Sequence, residues 1–152
     1  MTRRNKNRGY QQLRVWADAI ELYGLTRSTV RGWPYEEKRI AGQLLASVDS
    51  VHRNIAEGYC RRSVREYLNL LNYALGSLGE SVSAFTAYER AGQINAEVFE
   101  SLDSLAYKLE NSLLRLSESL ERKRDAGDWN ESLIVQESNE IYQTKSDWRL
   151  IS

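Results

Sequence analysis

Apolar positions recur at threes and fours along most of the chain, the spacing of one helix face. From Gln11 to about Arg31, Leu13, Trp16, Ile20 and Tyr23 keep this period, with Val15, Ala19 and Leu22 alongside. The pattern predicts an amphipathic first helix. It must stop before Trp33, because Pro34 drives its predecessor out of the helical region; Gly32 suits the position just past the end.

Pro34 fits the first turn of a second helix, where its missing N–H is not needed, and Glu36 and Glu37 meet the positive end of the helix dipole. Ile40, Leu44, Val48, Val51 and Ile55 form its core stripe, and Gly58, able to adopt positive φ, is its expected stop. Ser63-Val64-Arg65-Glu66 has the form of a capping box and opens a third helix. There Leu68, Leu71, Leu75, Leu78, Val82 and Phe85 alternate threes and fours up to Gly92. Asn95 caps a fourth, in which Val98, Leu102, Leu105, Leu109, Leu113, Leu116 and Leu120 continue to about Arg124.

Four long amphipathic helices with short connections imply an all-α fold, an antiparallel up-down-up-down four-helix bundle over residues 10–124. No period-two alternation precedes residue 128, which argues against a sheet. The third helix carries a second line of apolar or small residues: Tyr67, Leu70, Ala74, Ser77, Ser81 and Ala84. Self-association is the simplest use for it; a wide monomeric core is the other. Residues 1–9 lack periodicity and read as a flexible basic arm. Residues 125–152 form an acidic C-terminal extension in which Trp129, Leu133, Ile134, Val135, Ile141, Tyr142, Trp148, Leu150 and Ile151 are scattered. It is either a partly disordered segment with one short helix or an arm whose aromatics dock on a neighbour.

Composition adds limits. A chain of 152 residues, 41% hydrophobic and 28% charged, can bury a core without a metal or disulfide. The single cysteine, Cys60, precludes an internal disulfide and fits a reducing, cytoplasmic setting. No apolar run approaches membrane-span length, so no membrane partner is expected, and the basic start lacks the apolar stretch of a signal peptide. The zero net charge hides an asymmetry. Residues 1–65 hold thirteen Lys and Arg against six Asp and Glu, while residues 66–152 hold eight against fifteen.

Catalytic chemistry finds little support. One histidine, His52, and one cysteine cannot build a His/Cys metal cluster, and Asp49-x-x-His52 has no second copy to make a carboxylate metal site. His52 reads as a solvated or boundary residue. Cys60 precedes Arg61 and Arg62, which could activate it, but a small buried thiol is the expected state. No cofactor and no enzymatic activity are expected.

Topology gives the charges a meaning. In an up-down-up-down bundle the chain start, the second turn and the end of the fourth helix share one end. They carry Arg3, Arg4, Lys6, Arg8 and Arg14, then Arg53, Arg61, Arg62 and Arg65, then Arg122, Lys123 and Arg124. Such convergence is what a phosphate-binding surface requires, and Tyr10, Tyr59 and Tyr67 nearby could stack on bases. The other reading is solvation and dipole complementarity at helix ends, with Glu57, Glu66, Glu118, Glu121 and Asp125 diluting the field.

Four segments resemble a known family: Leu13-Arg14-Val15-Trp16 with Ala19, Pro34 to Lys38, Asn54-Ile55-Ala56-Glu57-Gly58, and Ala74 to Glu80. Together, over about residues 10–120, they are similar to the bacterial four-helix-bundle family whose founding members are encoded by intervening sequences in large-subunit ribosomal RNA genes. The resemblance implies a ring-shaped homopentamer. A related branch is the accessory variability protein of diversity-generating retroelements, whose basic barrel binds RNA and a reverse transcriptase. The sequence departs from the family upstream of Asn54, where it reads Leu44 to Ser47 and Val51-His52-Arg53, lacking a basic pair and a proline; a straighter second helix is implied. The expectation is a non-enzymatic, oligomeric bundle that binds RNA or a nucleic-acid enzyme through its basic end. The alternative is a structural or protein-interaction module. Asn54, Glu57, Gly58, Ser63 and Glu66 are expected to be structural, tying helix ends together.

Overall fold

The computed structural model of the protein describes residues 6–127, and these contain helices and no strand. A 3-10 helix, Lys6–Gln12, leads into α1 (Arg14–Val30), and a 3-10 turn, Tyr35–Glu37, leads into α2 (Lys38–Cys60). Then follow α3 (Val64–Arg90) and α4 (Ala96–Asp125). Each helix packs on the next in sequence and α4 closes back onto α1, which makes the fold a helical bundle. Arg3, Arg4 and residues 128–152, with Trp129, Trp148 and the other apolar positions of the extension, lie outside the described residues.

Local chemistry sets most helix ends. Ser63 caps α3 by accepting from the Glu66 N–H at 3.3 Å, and Asn95 caps α4 through the Val98 N–H at 2.8 Å. Gly92, at φ +81°, ends α3: its N–H reaches the Glu89 carbonyl and the Gln93 N–H reaches the Tyr88 carbonyl, the paired bonds of a Schellman stop. The second helix departs from expectation. It runs without a break through Gly58 to Cys60, and Gly58 keeps helical backbone rather than positive φ. The missing Cβ serves packing instead. A Cβ on Gly58 would lie 3.1 Å from Leu70 Cβ and Tyr67 Cδ1 and 3.3 Å from the Tyr67 carbonyl oxygen. At Gly58 the backbone of α2 packs directly against Tyr67 and Leu70 of α3.

The core is one continuous cluster drawn from all four helices, with Leu22, Val48, Val51, Ile55, Leu71, Leu78, Phe85, Leu102, Leu109 and Leu113 among its members. In α1 the stripe is rotated from the one expected. Val15, Ala19, Leu22, Thr26 and Val30 are buried, Trp16 and Tyr23 are half-buried, and Ile20 is exposed. Two overlapping apolar lines run along this helix, and the smaller residues fit the interior.

The second line on α3 is likewise used inside the chain: Tyr67, Ala74 and Ser81 are buried and Leu70, Ser77 and Ala84 half-buried. Much of it faces α2 across a polar seam. Ser81 Oγ lies 2.8 Å from the Ser77 carbonyl and 3.2 Å from Ser47 Oγ, and the Ser50 and Ser77 hydroxyls are 2.9 Å apart. Asn54 Nδ2 extends the seam, donating to the Ser50 carbonyl and hydroxyl, each at 2.9 Å. Ser47 thus meets Ser81, Ser50 meets Ser77, and Gly58 meets Tyr67, so α2 and α3 form a helical hairpin. Small residues permit the close approach, and their hydroxyls fix its register, because a one-turn slip would leave buried hydroxyls unpaired.

Candidate nucleic-acid interface

A row of rings holds one end of the bundle together. Tyr10 meets Trp16 at 5.6 Å and Tyr59 at 6.3 Å, and Tyr59 meets Tyr67 at 6.3 Å, all edge to face. Such contacts are worth about 0.5–1.5 kcal/mol each beyond the area they bury. They join the N-terminal 3-10 helix, the last turn of α2 and the first turn of α3. Arg8 stands two residues before Tyr10, Arg61 and Arg62 follow Tyr59 closely, and Arg65 stands two before Tyr67. The rings therefore bring together three segments that carry candidate phosphate contacts. The 3-10 helix takes in residues 6–9, which the sequence alone assigns to an arm.

The rings do this from inside. Tyr59 is 6% exposed and Tyr67 is 2% exposed, so neither can stack on a base; Tyr10 is half-buried. Aromatic side chains at a helix–helix contact gain more from burial than from solvent. The stacking role expected of Tyr59 and Tyr67 is thus replaced by a structural one.

The candidate cations fall into two sets. Arg61 Nη2 bonds Glu57 Oε1 at 2.6 Å, and its Nη1 lies 3.9 Å from Glu66 Oε1. Arg53 lies 3.4 Å from Asp49, and Arg124 Nε lies 3.1 Å from Asp125. These three are engaged by carboxylates. Arg8, Arg14, Arg62, Arg65 and Arg122 are exposed and Lys123 is half-exposed, and none has an ion pair among the described residues. Lys6 opens the 3-10 helix. Arg122, Lys123 and Arg124 occupy the last turn of α4, where they complement the helix dipole.

Of the residues expected to be structural, each has a defined place. Asn54 belongs to the serine seam, Gly58 to the α2–α3 contact and Ser63 to the α3 cap. Glu57 and Glu66 flank Arg61. One residue of consequence escapes the helical pattern: Asp18 is buried in α1 and pairs at 3.6 Å with Lys108 of α4. Its only sequence signal is a carboxylate four residues before Leu22, on the line that proves to be the core.

His52 and Cys60, the chain's single histidine and single cysteine, both lie in α2. His52 is half-buried, with Nε2 2.8 Å from Asp49 Oδ1 and its ring edge-on to Tyr23 at 6.2 Å. Cys60, expected to be buried, is exposed at the end of α2. Burial raises the pKa of its thiol, the opposite of the effect expected from Arg61 and Arg62. Among the described residues no cluster of His, Cys, Asp and Glu could hold a metal ion, and no helix is long and apolar enough to cross a membrane.

Tyr67 offers a test of this arrangement. Its hydroxyl is buried without a partner among the described residues, and burial above all pushes its phenol far above the ordinary range. Removing an unpaired buried hydroxyl relieves its desolvation cost, so Tyr67→Phe should stabilise the protein by about 1 kcal/mol near neutral pH. The unfolded chain ionises Tyr67 near its ordinary value of 10.0 while the folded protein keeps it neutral. Its contribution is therefore complete below that pH and is lost as the pH rises above it. Urea unfolding followed at neutral and alkaline pH should show the Tyr67→Phe gain growing with pH.

Across this hairpin and most of the bundle the sequence matches a family model described as 23S rRNA-intervening sequence protein, over residues 11–115. The chain belongs to this family. No curated protein matches it. The family match takes in Asp18, the serine seam and Arg53 to Arg65, whereas Arg8 and Arg122 to Arg124 lie beyond it.

Proposed function

We propose that the protein is a non-enzymatic RNA-binding bundle whose phosphate contacts come from one basic end. The observation that carries this is the Tyr10–Tyr59–Tyr67 row, which draws Arg8, Arg62 and Arg65 to the same end of the molecule. An up-down-up-down course, supported by the α2–α3 hairpin and by connections of a few residues, adds Arg122 and Lys123. The Asp18–Lys108 pair agrees: in an antiparallel α1–α4 pair, α4 continues from Lys108 toward Arg122 past the start of α1 at Arg14. An enzyme that copies RNA, such as a reverse transcriptase, is the protein partner this reading favours, and the cytoplasm is its setting. An electrophoretic shift assay with a single-stranded oligouridylate across salt concentrations tests it. Binding should weaken steeply with salt, and salt-independent or undetectable binding would remove the proposal.

The bundle is proposed to act as a homopentamer. Tyr73 of α3 and Tyr107 of α4 are 66% and 68% exposed, and Leu114 lies two turns beyond Tyr107 on the same side of α4. These apolar side chains, rather than the second line of α3, are available for contact between copies. Sedimentation equilibrium should return five times the 17.6 kDa chain mass, and a monomer would exclude the ring.

A further inference from the structure

Among the described residues, Arg61 is the one candidate cation held by two carboxylates. Its Nη2 bonds Glu57 of α2 at 2.6 Å, and its Nη1 lies 3.9 Å from Glu66 of α3. Arg61 follows the last residue of α2, so the two carboxylates reach it from both sides of the turn. From Glu57 to Glu66 the chain carries three arginines, Arg61, Arg62 and Arg65, against these two glutamates, a net charge of +1. The glutamates thus remove most of the positive charge of the turn at the place where phosphate would meet it.

We propose that Glu57 and Glu66 hold Arg61 back from phosphate and so limit the affinity of the basic end for a polyanion. Arg61 is then a latent contact, available to phosphate once its carboxylates are neutralised. The guanidinium fork accepts phosphate oxygens in the same two-pronged way as carboxylate oxygens, so the two anions compete for one group. Arg61 is 47% exposed and each glutamate 51%, so a phosphate can approach all three. Arg62 and Arg65, exposed and without an ion pair among the described residues, have no such competitor. The restraint follows from the Glu57–Arg61–Glu66 geometry; its consequence for RNA rests on the reading above.

A double-mutant cycle in the full chain tests this, with affinity followed against salt for two probes. One is a single-stranded oligouridylate; the other is inorganic polyphosphate, which offers phosphate without bases. Glu57→Gln/Glu66→Gln should bind about tenfold more tightly at low salt, with a slope of log K against log salt steeper by about 0.7, one added contact. Glu57→Gln alone, which leaves Glu66 and the α3 cap in place, should change affinity and slope in the same direction. Arg61→Gln should leave the slope of the unmodified protein unchanged but remove the added slope from the neutralised variant. A slope reduced by Arg61→Gln in the unmodified protein would overturn the proposal, because Arg61 would already be in contact. So would an added slope that survives Arg61→Gln, or no added slope at all, because Arg61 would then be out of reach. Oligouridylate binding with any of these patterns would sustain the RNA reading and refute the restraint. The expected pattern with polyphosphate, in a protein that binds no oligouridylate, would do the reverse. If neither probe binds, both fall.

Discussion

Gly58→Val is expected to destabilise the protein by about 2–3 kcal/mol, a large effect for a glycine within a helix. Ordinarily a glycine in a helix interior is a weakness, and a larger residue gains about 0.5–1 kcal/mol through chain entropy. At Gly58 that gain is outweighed. The first added carbon would meet Tyr67 and Leu70 at 3.1 Å, well inside the ordinary 3.5–4.0 Å carbon contact, and the Tyr67 carbonyl is backbone that cannot rotate away. The branches of valine would force α3 off α2, disturbing both the Tyr59–Tyr67 contact and the serine seam. Gly24 and Gly42 provide the control, since each is helical with nothing within 4 Å of its missing Cβ. Gly24→Ala and Gly42→Ala should each stabilise by about 0.5–1 kcal/mol. Urea denaturation followed by circular dichroism compares the three; equal responses would show that the α2–α3 contact is not as close as described.

Gly58 also shows where sequence reasoning reaches its limit. Ser63, Asn95, Gly32 and Gly92 could be placed correctly because capping is a transaction between residues a few positions apart. Gly58 has the same local look, a glycine after a long apolar stripe, but its purpose lies in a neighbouring helix nine residues and more away. Period alone could not choose between the two apolar lines of α1. That choice depends on which residues the other three helices leave room for, and Ala19 and Thr26 fit where Ile20 does not. Tyrosines are equally ambiguous. Tyr59 and Tyr67 carry a polar tip that suits a surface and a ring that suits a core, and only the hairpin geometry decides for the core.

The candidate interface was legible in part. That Arg61 faces Glu57 follows from their spacing of four on a helix, and the acidic residues among the basic ones were visible as a dilution. Which cations escape such pairing was not visible. Arg62 and Arg65 make no ion pair among the described residues, although Glu57 and Glu66 are close in sequence. The Asp18–Lys108 pair joins helices far apart in sequence, and the chain gives no hint of the partner.

Arg62→Glu/Arg65→Glu should have the larger effect on function. Each phosphate contact to a single strand contributes a slope of about 0.7 in log K against log salt, so the six cations free of ion pairs give a total of roughly 4. Reversing two should lower the slope by more than about 1 and weaken binding by tenfold or more at moderate salt. Both positions are exposed and make no ion pair among the described residues, so stability should change by less than about 0.5 kcal/mol. The matched control is Arg27→Glu/Arg31→Glu, the same charge change at the other end of α1, where Glu36 and Glu37 lie nearby in sequence.

The decisive measurement is the affinity of these two full-length variants and the unmodified protein for one oligouridylate, over a series of salt concentrations. If the basic end binds RNA, Arg62→Glu/Arg65→Glu loses affinity tenfold or more with a reduced salt slope, while Arg27→Glu/Arg31→Glu stays within about twofold. Equal losses in the two variants, or no measurable binding by the unmodified protein, would contradict it.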